Sequence, residues 1–144
     1  MYFEDFTVGQ KFYLEPVTIT EEEIFEFAGK YDPLPIHVNP EFAKDSIFGG
    51  IIASGFHTLC AVHAKFVEQK LLYEEVIGGL GLDYLQWSFP VRPNDTLRGE
   101  LEITEKIPSS KSGRGILGIK VTARNQNEQV VMTLQVKSLV KTRE

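Results

Sequence analysis

Between residues 97 and 140 the chain alternates. Leu97, Gly99, Leu101 and Ile103 take turns with Arg98, Glu100, Glu102 and Thr104, and Leu117, Ile119, Val121 and Ala123 with Gly118, Lys120, Thr122 and Arg124. Met132, Leu134, Val136, Ser138 and Val140 make a third run of period two. That period puts one set of side chains on one face of an extended strand, so each run predicts a half-buried strand. "LDYLQWSFPV", residues 82–91, is a fourth candidate, ended by Pro90. The breaks "RPND", "PSSKSG" and "NQNEQ" are turn material, and "NQNEQ" has about the length of a hairpin loop. The expectation is an antiparallel sheet with one apolar face to cover.

The first half supplies the cover. "SGFHTLCAVHAKFVEQKLLYE", residues 54–74, carries Phe56, Leu59, Cys60, His63, Phe66, Val67 and Leu71 in one helical stripe. Its broad apolar face and scarce early charges predict a helix wrapped by other structure, with Cys60 as a core filler. Two shorter helices precede it. Thr20 stands three residues before Glu23, a capping-box spacing, with Ile24, Phe27 and Ala28 on one face. Asn39 followed by Pro40 opens the other. Helices followed by a sheet predict an α+β fold, the sheet curled round the long helix, with residues 1–144 as a single domain.

Composition narrows the function. Apolar residues make up 42% of the chain, enough for one substantial core, and the formal charge of −5 is spread along it. No basic stripe interleaves with aromatics, which argues against nucleic acid as a partner. The only cysteine is Cys60, so no disulfide framework is expected. "MYFEDFTVGQ" has acids where a secretory signal needs basic residues and an apolar block, and no window approaches the length of a membrane span. A soluble, cytoplasmic protein without a membrane partner is the expectation.

"YDPLPIHVNP", residues 31–40, is the candidate site. Pro33 and Pro35 preset φ and bias the residues before them to extended forms, which restrains Asp32 and His37. Alone, an Asp in such a loop reads as a turn-former and a His near a helix start as a satisfied structural residue. Downstream, "FGGIIASG" has glycines suited to close backbone approach. Ser54 reads as a helix N-cap, and Gly55 as either tight packing or room for a ligand. His57 and His63 read as structural, and Arg92, Lys111 and Arg114 as solvated cations. His37, His57 and His63 lack the spacing of a zinc motif, and no cofactor is expected.

Taken together, "YDPLPIHVNPEFAKDSIFGGIIASGFHTL" resembles the hydratase motif of the MaoC-like dehydratases, the hot-dog-fold (R)-specific enoyl-CoA hydratases. Asp32, Pro35, Ile36, His37, Phe48, Gly49 and Gly55 match in place, and "LQWSFPVRPNDTL" is similar to the family's strand leading into an overhanging loop. The resemblance implies a lyase acting on the double bond of a 2-enoyl thioester, carried by coenzyme A or a carrier protein. It implies Asp32 and His37 as the groups that activate water, and the Gly55 N–H as the donor to the thioester oxyanion. Tyr31, Leu34, Phe48, Ser54 and His63 become candidate substrate contacts. Tyr31 stands where the family often has Gly, Leu34 where it often has Asn, and His63 where several members carry Ser. A homodimer or higher homo-oligomer is expected, with the acyl tunnel near the interface. The rival readings are a thioesterase on the same fold and a non-catalytic binder of acyl thioesters.

Overall fold

The computed structural model describes residues 1–144 and sets the three alternating runs side by side in one antiparallel sheet. After a 3-10 turn at Phe3–Asp5, the elements are β1 (Lys11–Tyr13), β2 (Val17–Ile19), α1 (Glu21–Tyr31), α2 (Pro35–Val38) and α3 (Pro40–Lys44). α4 (Gly55–Glu68), β3 (Val76–Trp87), β4 (Asp95–Pro108), β5 (Arg114–Arg124) and β6 (Val130–Lys141) follow. The sheet order is β1-β4-β5-β6-β3, with β2 also pairing β4. β4 is long enough to take two partners on one edge: Thr18 opposes Thr96, and Phe12 opposes Leu101 further along.

Alternation decides which face is buried. Leu97, Leu101 and Ile103 of β4, Leu117 and Ile119 of β5, and Met132, Leu134 and Val140 of β6 join one core with Ile24 of α1 and Val62 of α4. The caps form as their sequences require. The Thr20 hydroxyl accepts from the Glu23 N–H and the Glu23 carboxylate from the Thr20 N–H, both at 3.2 Å. Asn39 Oδ1 accepts from the Phe42 N–H at 3.2 Å, closing the start of α3.

Several expectations need correction. α4 stops at Glu68 rather than running to residue 74. Lys70 takes a positive φ of 56°, which turns the chain out of the helix, and the Met1 amino group donates to the Leu71 carbonyl at 2.9 Å. α4 is also less wrapped than its apolar stripe predicts. His57, Thr58 and Val62 are buried, but Phe56, Cys60, His63 and Val67 are exposed. One sheet covers only one side of a helix, so Cys60 is not a core filler. β1 and β2, three residues each, are too short to show a period and were not anticipated. β3 starts at Val76, before the Leu82 expected, because Gly78, Gly79 and Gly81 interrupt the pattern where the strand shifts register.

β3 pairs with β6 along one side only. Val76, Ile77, Leu80, Leu82, Tyr84 and Trp87 stand exposed on this edge strand. No helix is long and apolar enough to cross a membrane.

Candidate active site

The two prolines do what their positions require. Asp32 is the C-cap of α1, its N–H bonded to the Ala28 carbonyl at 2.9 Å. Pro33 cannot continue that helix, and Pro35 opens α2 as its first residue. His37 follows within the single turn of α2 and is buried. The result is an Asp32 Oδ2 to His37 Nε2 distance of 3.5 Å.

The ring of His37 has a defined role for each nitrogen. Nδ1 lies 2.7 Å from the Ile52 carbonyl, which can only accept, so Nδ1 carries the proton and donates. In the neutral ring Nε2 then holds the lone pair and faces the Asp32 carboxylate. Two acceptors at this separation suit a water that donates one hydrogen to each. If Nε2 gains a proton, it becomes a donor toward Asp32 or a reacting atom.

α4 begins against this pair. Residues Ile51, Ile52, Ala53 and Ser54 form a buried extended segment, held by Ala53 N–H to the Val91 carbonyl at 2.8 Å and Ile52 N–H to the Ile36 carbonyl at 3.3 Å. Ser54 is fully buried. Its Oγ accepts from the Phe56 N–H at 3.2 Å and donates to Asp32 Oδ2 at 2.7 Å. The N-cap reading of Ser54 holds, and the same hydroxyl secures the carboxylate. Gly55 is the first helical residue, so its N–H is among those a helix start leaves unpaired. The positive end of the helix dipole adds to the attraction for an oxyanion there.

A cavity of 310 Å³ opens beside these groups, lined by His37, Phe48, Gly55, Thr58, Trp87 and Phe89 among others. Of the candidate site residues, Asp32, His37, Ser54, Gly55 and Phe48 come together here. Tyr31 and Leu34 do not line the cavity. Both are exposed, and Tyr31 leans on Phe27 at 5.1 Å between ring centroids. His63 is elsewhere too, on a second cavity of 510 Å³ between α4 and strands β3, β5 and β6, with Leu59, Phe66, Met132 and Val136. The helical turn between residues 58 and 63 carries His63 away from the start of α4. Sequence reasoning missed Ile52, whose carbonyl sets the His37 tautomer, and Thr58, Trp87 and Phe89 on the cavity wall. A lone tryptophan just before the strand-ending Pro90 was the available signal.

His57 is buried near the site and stacks on Phe27, rings 4.8 Å apart and 13° from parallel. Its Nδ1 has no hydrogen-bond partner. Burial holds its pKa below the ordinary histidine value, with the Glu23 carboxylate pulling the other way. The Thr20 hydroxyl and N–H hold Glu23 itself below its usual range.

An antiparallel sheet packed on one long helix, with a polar loop pair at that helix's N-terminus, defines a hot-dog protein. The chain belongs to the MaoC-like domain family, whose sequence model matches residues 5–125. It is 32% identical to the uncharacterized protein YdeM of Bacillus subtilis over 98% of this chain and 99% of that one. It is 34% identical to an (R)-specific enoyl-CoA hydratase of Rhodospirillum rubrum over 76% of this chain and 74% of the hydratase. The crystal structure of a MaoC-like dehydratase from Rhodospirillum rubrum superposes with a TM-score of 0.93 at 33% identity, covering 100% of this chain and 99% of that one.

Proposed function

We propose that this chain is a hydratase/dehydratase acting on the carbon–carbon double bond of a 2-enoyl thioester. The observation that carries the reading is the Asp32–His37 pair at 3.5 Å, with Nε2 free as the basic nitrogen, beside the open N–H of Gly55. A water donating to both acceptors turns an oxygen lone pair toward C3. As that oxygen bonds to C3, the π electrons move through C2 to the thioester oxygen. The Gly55 N–H and the start of α4 stabilise the charge that develops there. The proton lost by water passes to the pair and returns to C2, giving the 3-hydroxyacyl thioester. Dehydration is the reverse path. The family membership and the likeness to a protein named as an (R)-specific enoyl-CoA hydratase support this reading.

The apolar 510 Å³ cavity behind α4 is the room for an acyl chain, and a second copy of the chain is the expected cover for the open edge of β3. Sedimentation at micromolar concentration tests the dimer.

The test of function is loss of conjugated-enoyl absorbance when protein is added to a short 2-enoyl-CoA. A thioesterase would release free thiol instead, and a binding protein would do neither. Thiol release without hydration overturns the proposal.

A further inference from the structure

We propose that Trp87 decides which acyl groups this site admits: its indole is the wall beside Gly55 against which the flat, conjugated part of a bound thioester lies. The inference rests on the enoyl-thioester reading of the same site and adds to it a residue that touches substrate.

Gly55 has ordinary helical backbone, so conformational freedom does not explain it. What occupies its missing side chain does. A Cβ there would run into Cε2 and Cδ2 of Trp87 and come within 2.7 Å of Nε1. The fused edge of the indole therefore rests on the backbone at the first turn of α4, and only glycine lets it down that far. From there the ring lines the 310 Å³ cavity together with His37, Thr58 and Phe89. Phe56 meets the indole edge-on, centroids 5.1 Å apart and planes at 71°.

The substrate geometry follows. The Gly55 nitrogen is about 1.5 Å from the Cα under the indole. A thioester oxygen accepting from that N–H sits about 2.9 Å further out. The planar O=C–C=C unit attached to it must pass next to the ring. A flat conjugated group can lie along an aromatic surface. A methyl branch at C2 lies in the plane of this unit and widens it on the side where the indole already touches the helix. The wall thus favours unbranched 2-enoyl groups.

Trp87 is the only tryptophan of the chain, so tryptophan emission comes from this residue alone. The Asp32→Asn protein, in which turnover should be slowed about 10²–10⁴-fold, is titrated with a four-carbon 2-enoyl-CoA and, in parallel, with coenzyme A. The expected result is a saturable change in Trp87 emission with the enoyl thioester and none with coenzyme A. In the otherwise native protein, Trp87→Ala should lower kcat/KM for the straight-chain substrate about 2- to 10-fold, the range of one aromatic contact, chiefly through KM. It should also raise the relative rate on the 2-methyl-branched substrate. Trp87→Phe should fall between, and it stands in if the alanine variant does not fold. Gly55→Ala, without ligand, should red-shift the emission as the ring is pushed into solvent.

Turnover by the native protein, with emission unmoved at saturation and the straight-to-branched ratio unchanged in both Trp87 variants, overturns this inference and leaves the hydratase reading standing. A saturable emission change in the Asp32→Asn protein, with no consumption of the enoyl group by the native protein, does the reverse. Neither binding nor turnover overturns both.

Discussion

Removing one buried hydroxyl tests how the site is held together. Ser54→Ala deletes the 2.7 Å bond to Asp32 Oδ2 and the 3.2 Å bond that caps α4 at Phe56. Loss of an N-cap costs about 1 kcal/mol. A hydrogen bond to a charged group contributes roughly 1.5–3 kcal/mol, and the lower end applies because the Asp32 side chain, 20% exposed, can recover part of it from water. The expected loss is about 2–3 kcal/mol. With a urea slope of about 1–3 kcal/mol/M for a small domain, the midpoint should fall by about 0.7–3 M at unchanged slope. Part of this loss belongs to the pair rather than to either residue. Ser54→Ala and Asp32→Ala, combined in a double-mutant cycle, should show a coupling of about 1–2 kcal/mol. Ser54→Thr, which keeps the hydroxyl, should recover much of it. Single and double variants that add within about 0.5 kcal/mol would mean that the bond between Ser54 and Asp32 carries no energy, and the reasoning fails.

Three further outcomes follow from the same geometry. Asp32→Asn and His37→Ala should each reduce turnover of a 2-enoyl-CoA by about 10²–10⁴-fold with the thermal melt still cooperative; near-native rates in both would remove the pair from the chemistry. Burial keeps His57 below the ordinary histidine pKa, so below about pH 6.5 the unfolded chain binds a proton that the folded chain resists. Stability should therefore fall as pH drops through that range and flatten once the folded-state value is passed, and His57→Gln should remove this slope from a series of urea midpoints. Leu34→Asn should leave the relative rates over a chain-length series unchanged, because Leu34 lines neither cavity; a shifted optimum would place it against the acyl group.

Local rules reached far along this chain. The Thr20–Glu23 box, the Asn39–Pro40 start and the period-two runs of β4, β5 and β6 depend on neighbours within a few residues, and each formed where its spacing indicated. The Asp32–His37 spacing, fixed by Pro33 and Pro35, is local as well, which is why the pair was legible as a motif. Other features depend on residues that meet only after folding. The Ile52 carbonyl settles the tautomer of His37 from 15 residues away, and the Ser54 hydroxyl reaches Asp32 across 22. Trp87 lies on Gly55 because β3 ends where α4 begins, a juxtaposition that no spacing encodes. The apolar stripe of α4 identified a helix but not how much of it would be covered, since a stripe states what a face prefers and only the sheet decides how far that preference is met. Sequence determined the helix caps, the period-two strands and the Asp32–His37 spacing. The tertiary structure decided which groups orient that chemistry, because orientation comes from contacts between segments distant along the chain.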